Sequence, residues 1–595
     1  MPEMRGNYNR EVRMPDDSFD AVIIGGGTKA LYLAMYLVRY GGMSVGIFER
    51  RHEIGGAMAT EEAAAPGFRG NTHANLMLTP YHVSLYRDFP EVWDYGLQFD
   101  QYLCSTGAVF RSNNTCLAIY SEKHDPTQER SAREIARFSE KDADTWLRLW
   151  GLYQSDEMQR VLMDNITMPW DERAAMPEVG ERQLAVAGKL MEAGLVPDQL
   201  TMAASGMRWA REYWESKEMQ YVHMRWFLSA GMDVNDAGLG LLAFYTAPQL
   251  PLFGIIRGGT HQAAHAAHQF LVRNGCKFFT HSEVEKVSIE NGNATGIRLT
   301  NGSEIKSRKM VVAAGMNPAQ LCFDLIGREY IDDKLTKRVE ALEDTFGCLM
   351  WYTFAIHDAL KYTAEEFNPD IHETLWLGLA ETPDPEHIAR ECKYAKLGML
   401  PPLDDFCPTV MCHSLVDPSY APPGKHVVQN EQMGPPATYH TEREWLEIKK
   451  KYAEDLVTYW QRHAPNMTWD NIIGVDTNSP YDHNRMKNFR PNGTWAGIDR
   501  PAFQLLDNNR PTPELHNHRT PIKNLYATGG CWFPGSNMSS WESYTCYRVI
   551  ANDLDLGKPW REPGKEEPDS LVEQVHATVQ RARDQFKRDP VMTVI

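Results

Sequence analysis

A mixed α/β fold is predicted by three glycine-punctuated stretches, each joining a strand to a helix. They are AVIIGGGTKALYLAMYLVRYGGMSVGIFERRHEIGG (residues 21–56), a helix-and-strand run over 254–315, and NLYATGGCWFPGSNMSSWESYTCYRVIANDL (524–554). A short apolar run closed by glycine reads as a buried strand, and an apolar repeat at helical spacing behind it reads as a helix.

In the first stretch FDAVIIG forms the strand, Gly25, Gly26 and Gly27 the turn, and TKALYLAMYLVRY a helix ending at Gly41 and Gly42. MSVGIFE is the next strand, so residues 19–49 make one βαβ unit closed by Glu49. The spacing Gly25-x-Gly27-x-x-Ala30 is that of a Rossmann-like dinucleotide turn. Gly25 permits the tight turn, and Gly27 lets the backbone approach a pyrophosphate on the positive helix N-terminus, beside Thr28 and Lys29. Ala30 stands where only a small residue is needed, for close packing of helix on strand. Glu49 follows where a carboxylate accepts both hydroxyls of an adenosine ribose and repels a 2′-phosphate.

The second stretch reads as a helix after Gly258-Gly259, then strands CKFFTHSEVEKVSI, ATGIRLT and EIKSRKMVVAAG with Asn-Gly turns at 291–292 and 301–302. His261, His265 and His268 share one face of that helix. No carboxylate accompanies them at ligand spacing, so a packed or solvated face is expected and no metal. The third stretch is a strand, Gly529-Gly530, an aromatic turn with Pro534-Gly535, and a helix carrying Arg548.

The bulk numbers set limits around these units. A chain of 595 residues, 43% hydrophobic and 24% charged, suffices for two or three globular domains. A formal net charge of -18 with no long Lys/Arg block excludes nucleic acid as a partner. The polar start and the lack of any long apolar run predict a cytoplasmic protein, peripheral to a membrane at most. Ten dispersed cysteines without a C-x-x-C imply reduced thiols, and Cys407, Cys412 and His413 are poorly spaced for a metal. The 16 Trp, 27 Met and 25 Tyr suit a large core or an apolar ligand cavity.

The phrase ERR..IGG....EE...PGFR (49–69), with the second and third stretches, HSLVDPSYAPPGKHVV (413–428) and RPNGTWAG (490–497), resembles the phytoene desaturase-like FAD-dependent oxidoreductases, relatives of the flavin amine oxidases. The resemblance implies FAD as cofactor. It puts Arg50, Arg51, Gly55, Gly56 and Ala57 on the cofactor, Asn71 within a segment (69–75) near the isoalloxazine, Val284 beside adenine, and Ala314 on the strand returning to the nucleotide. It also puts Gly529, Gly530, Ser536, Met538 and Ser539 on the turn that aims a helix N-terminus at the flavin, although Ser536, Asn537 and Met538 replace the glycines usual there. His73 is the candidate catalytic residue, in the segment passing the ring.

The implied architecture is a discontinuous Rossmann-like FAD-binding domain (18–100, 254–345 and 480–560) and a separate substrate domain of mixed sheet and helices (101–253 and 346–479). A polar segment, 1–17, precedes them. A charged helical tail, 561–595, is expected as an oligomer contact or a loose end. FSEKDADTWLRLWGLY, with Ser139 and Asp142 as a capping pair, and REWLEIKKKYAEDLVTYW read as amphipathic helices. The Trp- and Met-rich segment 207–232 predicts an apolar tunnel, with a partly exposed helix able to draw substrate from a membrane surface. The expected activity is dehydrogenation or desaturation of a hydrophobic isoprenoid or terpenoid, with a quinone, oxygen or a carrier protein as electron acceptor. The alternatives are a redox-neutral polyene isomerase or hydratase, an amine oxidase, and a flavin-bearing structural subunit of a heteromeric dehydrogenase. A homo- or hetero-oligomer is compatible with all of them.

Overall fold

The computed structural model describes residues 18–195, 199–505, 510–535 and 538–588. Strand β1 (Ser18–Ile24), helix α1 (Thr28–Arg39) and strand β2 (Val45–Phe48) form the expected βαβ unit, with β1 and β2 parallel and Ala21 opposite Val45. On the other side of β1 lies Glu304–Ala314, also parallel, and Leu525–Thr528 pairs in parallel with its far end. Lys277–Phe279 extends the sheet beyond β2, and Val284–Glu290 with Asn293–Leu299 form an antiparallel hairpin on the opposite flank. The central strands are apolar at successive positions because helices cover both faces of a parallel sheet. Ala30 through Leu37 of α1 are buried, packed against Gln262–Arg273 and Trp541–Asp553.

A second sheet of seven strands runs in the order Ile472–Asn478, Leu349–Ile356, His426–Met433, Thr409–Met411, Thr374–Ala380, Cys104–Phe110 and Thr115–Tyr120. Alternation decides which face each residue serves. Met350, Tyr352, Phe354 and Ile356 meet Trp445, Tyr452, Leu456 and Trp460 of the helix Glu442–Gln461. Leu349 and Trp351 turn to the other face, towards Trp226, Phe253 and Trp376. The capping pair is present: Ser139 Oγ accepts from the Asp142 amide at 3.1 Å, and the Asp142 carboxylate accepts from the amides of Glu215 and Ser216.

Two expectations need correction. In segment 207–232 the helix Lys217–Ser229 buries Met219 through Leu228, because it lies against Cys104–Phe110 on one side and Glu386–Lys396 on another, and the partly exposed helix Gly206–Tyr213 presents Arg208, Arg211 and Glu212 rather than apolar side chains. Leu184 and Met191, 75% and 62% exposed on the helix Pro177–Glu192, are among the apolar side chains open to solvent. The tail is not loose either. Its helix, Asp569–Arg588, buries Leu571, Val572 and Val575 against Val83, Met163 and Trp541, an apolar stripe that outweighs its charged face.

Candidate functional site

One cavity of about 1260 Å³ connects the glycine turn of the first sheet with the apolar face of the second. Single-ligand pockets are typically ~300–1,000 Å³, so this one has room for a dinucleotide and a second molecule. Gly25, Gly27, Thr28, Lys29 and Ala30 line one end with Glu49, Arg50, Arg51, Gly56, Ala57, Val284 and Ala314. Gly529, Gly530 and Met538 line the wall between, and His73 faces the same space.

The turn is shaped by contacts only glycine permits. Gly25 has φ +94°, and a Cβ there would lie 2.6 Å from the Ala314 carbonyl oxygen. Gly55 donates to the Gly26 carbonyl at 2.8 Å, which lays the second glycine pair on the first: a Cβ on Gly56 would sit 3.0 Å from Gly27 Cα. Gly27 caps α1 without a side-chain hydrogen bond, so the first amides of that helix point to a ligand rather than to the protein. The Glu49 carboxylate is fixed at the mouth of the turn, accepting from the Gly26 amide at 2.7 Å and the Arg51 amide at 2.8 Å. An uncapped helix start, a glycine-lined cradle and a placed carboxylate fit the pyrophosphate and ribose of an adenine dinucleotide.

Three of the expected residues are not in the cavity lining. Gly55 is off the cavity, held by the His261 ring 2.8 Å from where its Cβ would be. His261 in turn shares a hydrogen bond between Nδ1 and the Met58 carbonyl, and its ring lies 4.6 Å from that of His265. His268 packs on Phe278, whereas His265 is exposed. Asn71 is also off the cavity: its Oδ1 accepts from Thr60 Oγ1 at 2.8 Å and the Thr260 amide at 3.1 Å, while Nδ2 donates to Tyr420 at 3.1 Å. Ser539 is buried outside the cavity lining, with its carbonyl accepting from Lys29 Nζ. The Lys29 ammonium also pairs with Glu542, tying α1 to the start of Trp541–Asp553. Ser536 and Asn537 lie outside the described residues.

His73 shares a hydrogen bond between Nδ1 and Thr72 Oγ1 at 2.9 Å, and its Nε2 is buried without a hydrogen-bond partner. Burial, then the neighbouring His483, hold its pKa well below the usual histidine value, so the ring is neutral. Its neutral Nε2 is available to a bound molecule. Among the described residues no group of three His, Cys, Asp or Glu side chains is placed to hold a metal ion.

The far end of the cavity carries residues that sequence reasoning passed over. Trp351 lines it and donates Nε1 to the Asn71 carbonyl at 2.8 Å. Glu431, on the strand His426–Met433 opposite Trp351, is 7% exposed and also lines it. Arg500 donates to the carbonyls of Ala230 and Gly535 and stacks 4.7 Å from the Trp495 ring; burial, then Arg510, push its pKa down to about 9. The available signal was the alternation in VVQNEQM, which puts Gln429 and Glu431 on one buried face.

Residues 23–95 match the NAD(P)-binding Rossmann-like domain. One of the limonene dehydrogenase subunits of Castellaniella defragrans is 24% identical over 567 residues, covering 91% of this chain and 96% of that protein. Pyridine nucleotide-disulfide oxidoreductase domain-containing protein 2 of Rattus norvegicus is 25% identical over 578 residues, covering 90% and 94%. Cyclohexylamine oxidase from Brevibacterium oxydans shares the fold, with a TM-score of 0.53 at 13% identity over 91% of this chain and all of that one. The glycine cradle, the two-sheet architecture and relatives spanning nearly the whole chain agree: the chain is an oxidoreductase similar to the FAD-dependent oxidoreductases.

Proposed function

We propose that this oxidoreductase binds FAD and dehydrogenates a hydrophobic terpenoid-class molecule. The observation that carries this reading is the single cavity: a dinucleotide cradle at one end opens directly onto a chamber walled by Trp226, Leu349, Trp351 and Trp495. When bound, FAD supplies an acceptor for a hydride. The α1 amides and Gly56 would hold its pyrophosphate, Glu49 its ribose hydroxyls and Val284 its adenine. The chamber excludes water and holds an apolar molecule in place, which lowers the entropic part of the barrier. His73 orients what lies at the junction through its neutral Nε2.

In this reading residues 18–100, 254–345 and 480–560 are the cofactor domain, and 101–253 with 346–479 the substrate domain. All strands of the first sheet fall in the former set and all of the second sheet in the latter, which supports the division. The full-length similarity to a limonene dehydrogenase component supports a terpenoid substrate. That relative is named as one of several subunits, which also favours a second reading: this chain works with a partner chain and passes electrons on to a quinone, oxygen or a carrier. The test is anaerobic titration of the flavin-loaded protein with limonene. Loss of the visible flavin absorbance supports the assignment, and an unchanged spectrum with limonene, with longer terpenes and with terpene alcohols and amines rejects it. Co-expression with a homologous chain, followed by sizing, decides whether a partner is required.

A further inference from the structure

The chamber is largely apolar, with Ser229, Gln249, Glu431 and Arg500 among the polar side chains of its wall. Glu431 stands in its wall between strands Leu349–Ile356 and Thr409–Met411, opposite Trp351 and Thr409. Its Oε1 accepts from Trp376 Nε1 at 3.3 Å, and the Ser229 hydroxyl lies beside it on the same wall. A side chain held in place this way, with nine-tenths of its surface buried, is not there by solvation.

Behind it the charges do not balance. Arg225 Nη1 donates to Glu391 at 2.6 Å and Nε to Thr409 Oγ1 at 2.9 Å. Glu391 also accepts from the Met433 amide and from Cys407, both at 2.8 Å. Arg225 is therefore engaged by Glu391 and helps Glu431 only at longer range. With two carboxyls and one guanidinium, the cluster lacks one positive charge or one proton. Burial raises the Glu431 pKa, with Glu391 adding to it and Ser229, Arg225 and Trp376 opposing. A buried carboxyl of this kind is satisfied by a hydrogen-bond donor from a ligand.

We propose that Glu431 is the polar anchor of the chamber, selecting a hydrophobic molecule with one hydrogen-bond-donating head, a hydroxyl or an amine, over the hydrocarbon of the same skeleton. This rests on the terpenoid reading above and narrows it to head-bearing terpenoids. The walls supply affinity for the skeleton, and Trp226 and Trp351 give a face on which a positively charged head is also favourable. Sites built to bond a substrate hydroxyl discriminate strongly against the analogue that lacks it, since their polar group is then left unpaired.

The test uses the flavin-loaded full chain and three ligands of one skeleton: geraniol, geranylamine and the diene without a head group. Binding is followed by quenching of tryptophan fluorescence, which requires no turnover. The expected result is binding of geraniol or geranylamine at least about tenfold tighter than the diene. In Glu431→Gln that preference should fall by about tenfold for geranylamine and less for geraniol, because the amide still accepts a hydrogen bond. A preference for geranylamine that weakens as pH falls marks the charged carboxylate as the anchor; a pH-independent preference for geraniol marks its protonated form. Retained flavin absorbance shows that the variant folds, and if it does not, the three ligands on the parent protein decide alone. Equal binding of all three by the parent overturns the proposal while leaving the terpenoid reading intact. An unchanged preference in folded Glu431→Gln overturns it as well. Binding of none of the three overturns both.

Discussion

Gly25 shows how much a single backbone position can carry. Its φ of +94° is one that side chains rarely adopt, and the Ala314 carbonyl occupies the space a methyl would need, 2.6 Å away. Gly25→Ala therefore has to rotate the turn or push back the strand Glu304–Ala314, and either movement displaces the α1 amides. The expected outcome is at least a tenfold loss in FAD retention on desalting, read from the flavin-to-protein absorbance ratio. The control is Ala30→Gly, which keeps the third position small. It should retain FAD and lose only about 1 kcal/mol of helix stability. Equal FAD retention by Gly25→Ala and its parent would mean the cradle does not depend on this turn.

At the scale of elements, Glu122 joins three of them. It accepts from Thr79, its amide donates to the Pro251 carbonyl at 3.0 Å, and its own carbonyl accepts from Arg583 Nη2 of the tail helix at 3.0 Å. Burial pushes its carboxyl from 4.5 up to about 7, with Thr79 and Arg583 partly opposing. The sign follows from linkage: the folded protein keeps the proton between pH 4.5 and about 7 while the unfolded chain releases it, so stability falls as pH rises through that window. The loss amounts to about 3 kcal/mol and levels off above about pH 7. Glu122→Gln mimics the protonated carboxyl. It should melt with the parent at about pH 5 and at a higher temperature than the parent at about pH 8. A variant less stable than the parent at both pH values would show that the group is charged in the fold.

These elements also show what local sequence can encode. β1, α1 and β2, the Ser139 cap and the helix Glu442–Gln461 were legible because each depends on neighbours a few residues away, through glycine punctuation, a capping hydroxyl or a helical repeat. The docking of the tail helix was not, since its charged face dominates the composition while Leu571, Val572 and Val575 find their partners some 30 to 490 residues away. Glu431 escaped for the same reason: nothing near it in sequence tells that Trp376 and Ser229 will enclose it. The expectation that Asn71 touches the cofactor came from its place in a segment, and a segment does not fix the direction of a side chain.

Asn71 ties the second sheet to the strand Thr60–Ala65 and to the turn before the helix Gln262–Arg273, and that makes it a test of the whole molecule. Its carbonyl accepts from Trp351 Nε1 at 2.8 Å and Gln429 Nε2 at 2.7 Å, both on the second sheet. Its side chain joins Thr60, the Thr260 amide and Tyr420. Asn71→Ala keeps the carbonyl bonds but leaves the buried Thr260 amide and Tyr420 hydroxyl without these partners, at about 1–3 kcal/mol for each group. If the residue acts by joining these elements, the variant should melt lower by the same amount with and without FAD, and FAD affinity should change less than threefold. If it held the cofactor instead, the melting temperature of the FAD-free protein would be unaltered and only the FAD-dependent rise would shrink, because a ligand stabilises only the state it binds. Melting curves of parent and variant, each with and without FAD, separate the two roles.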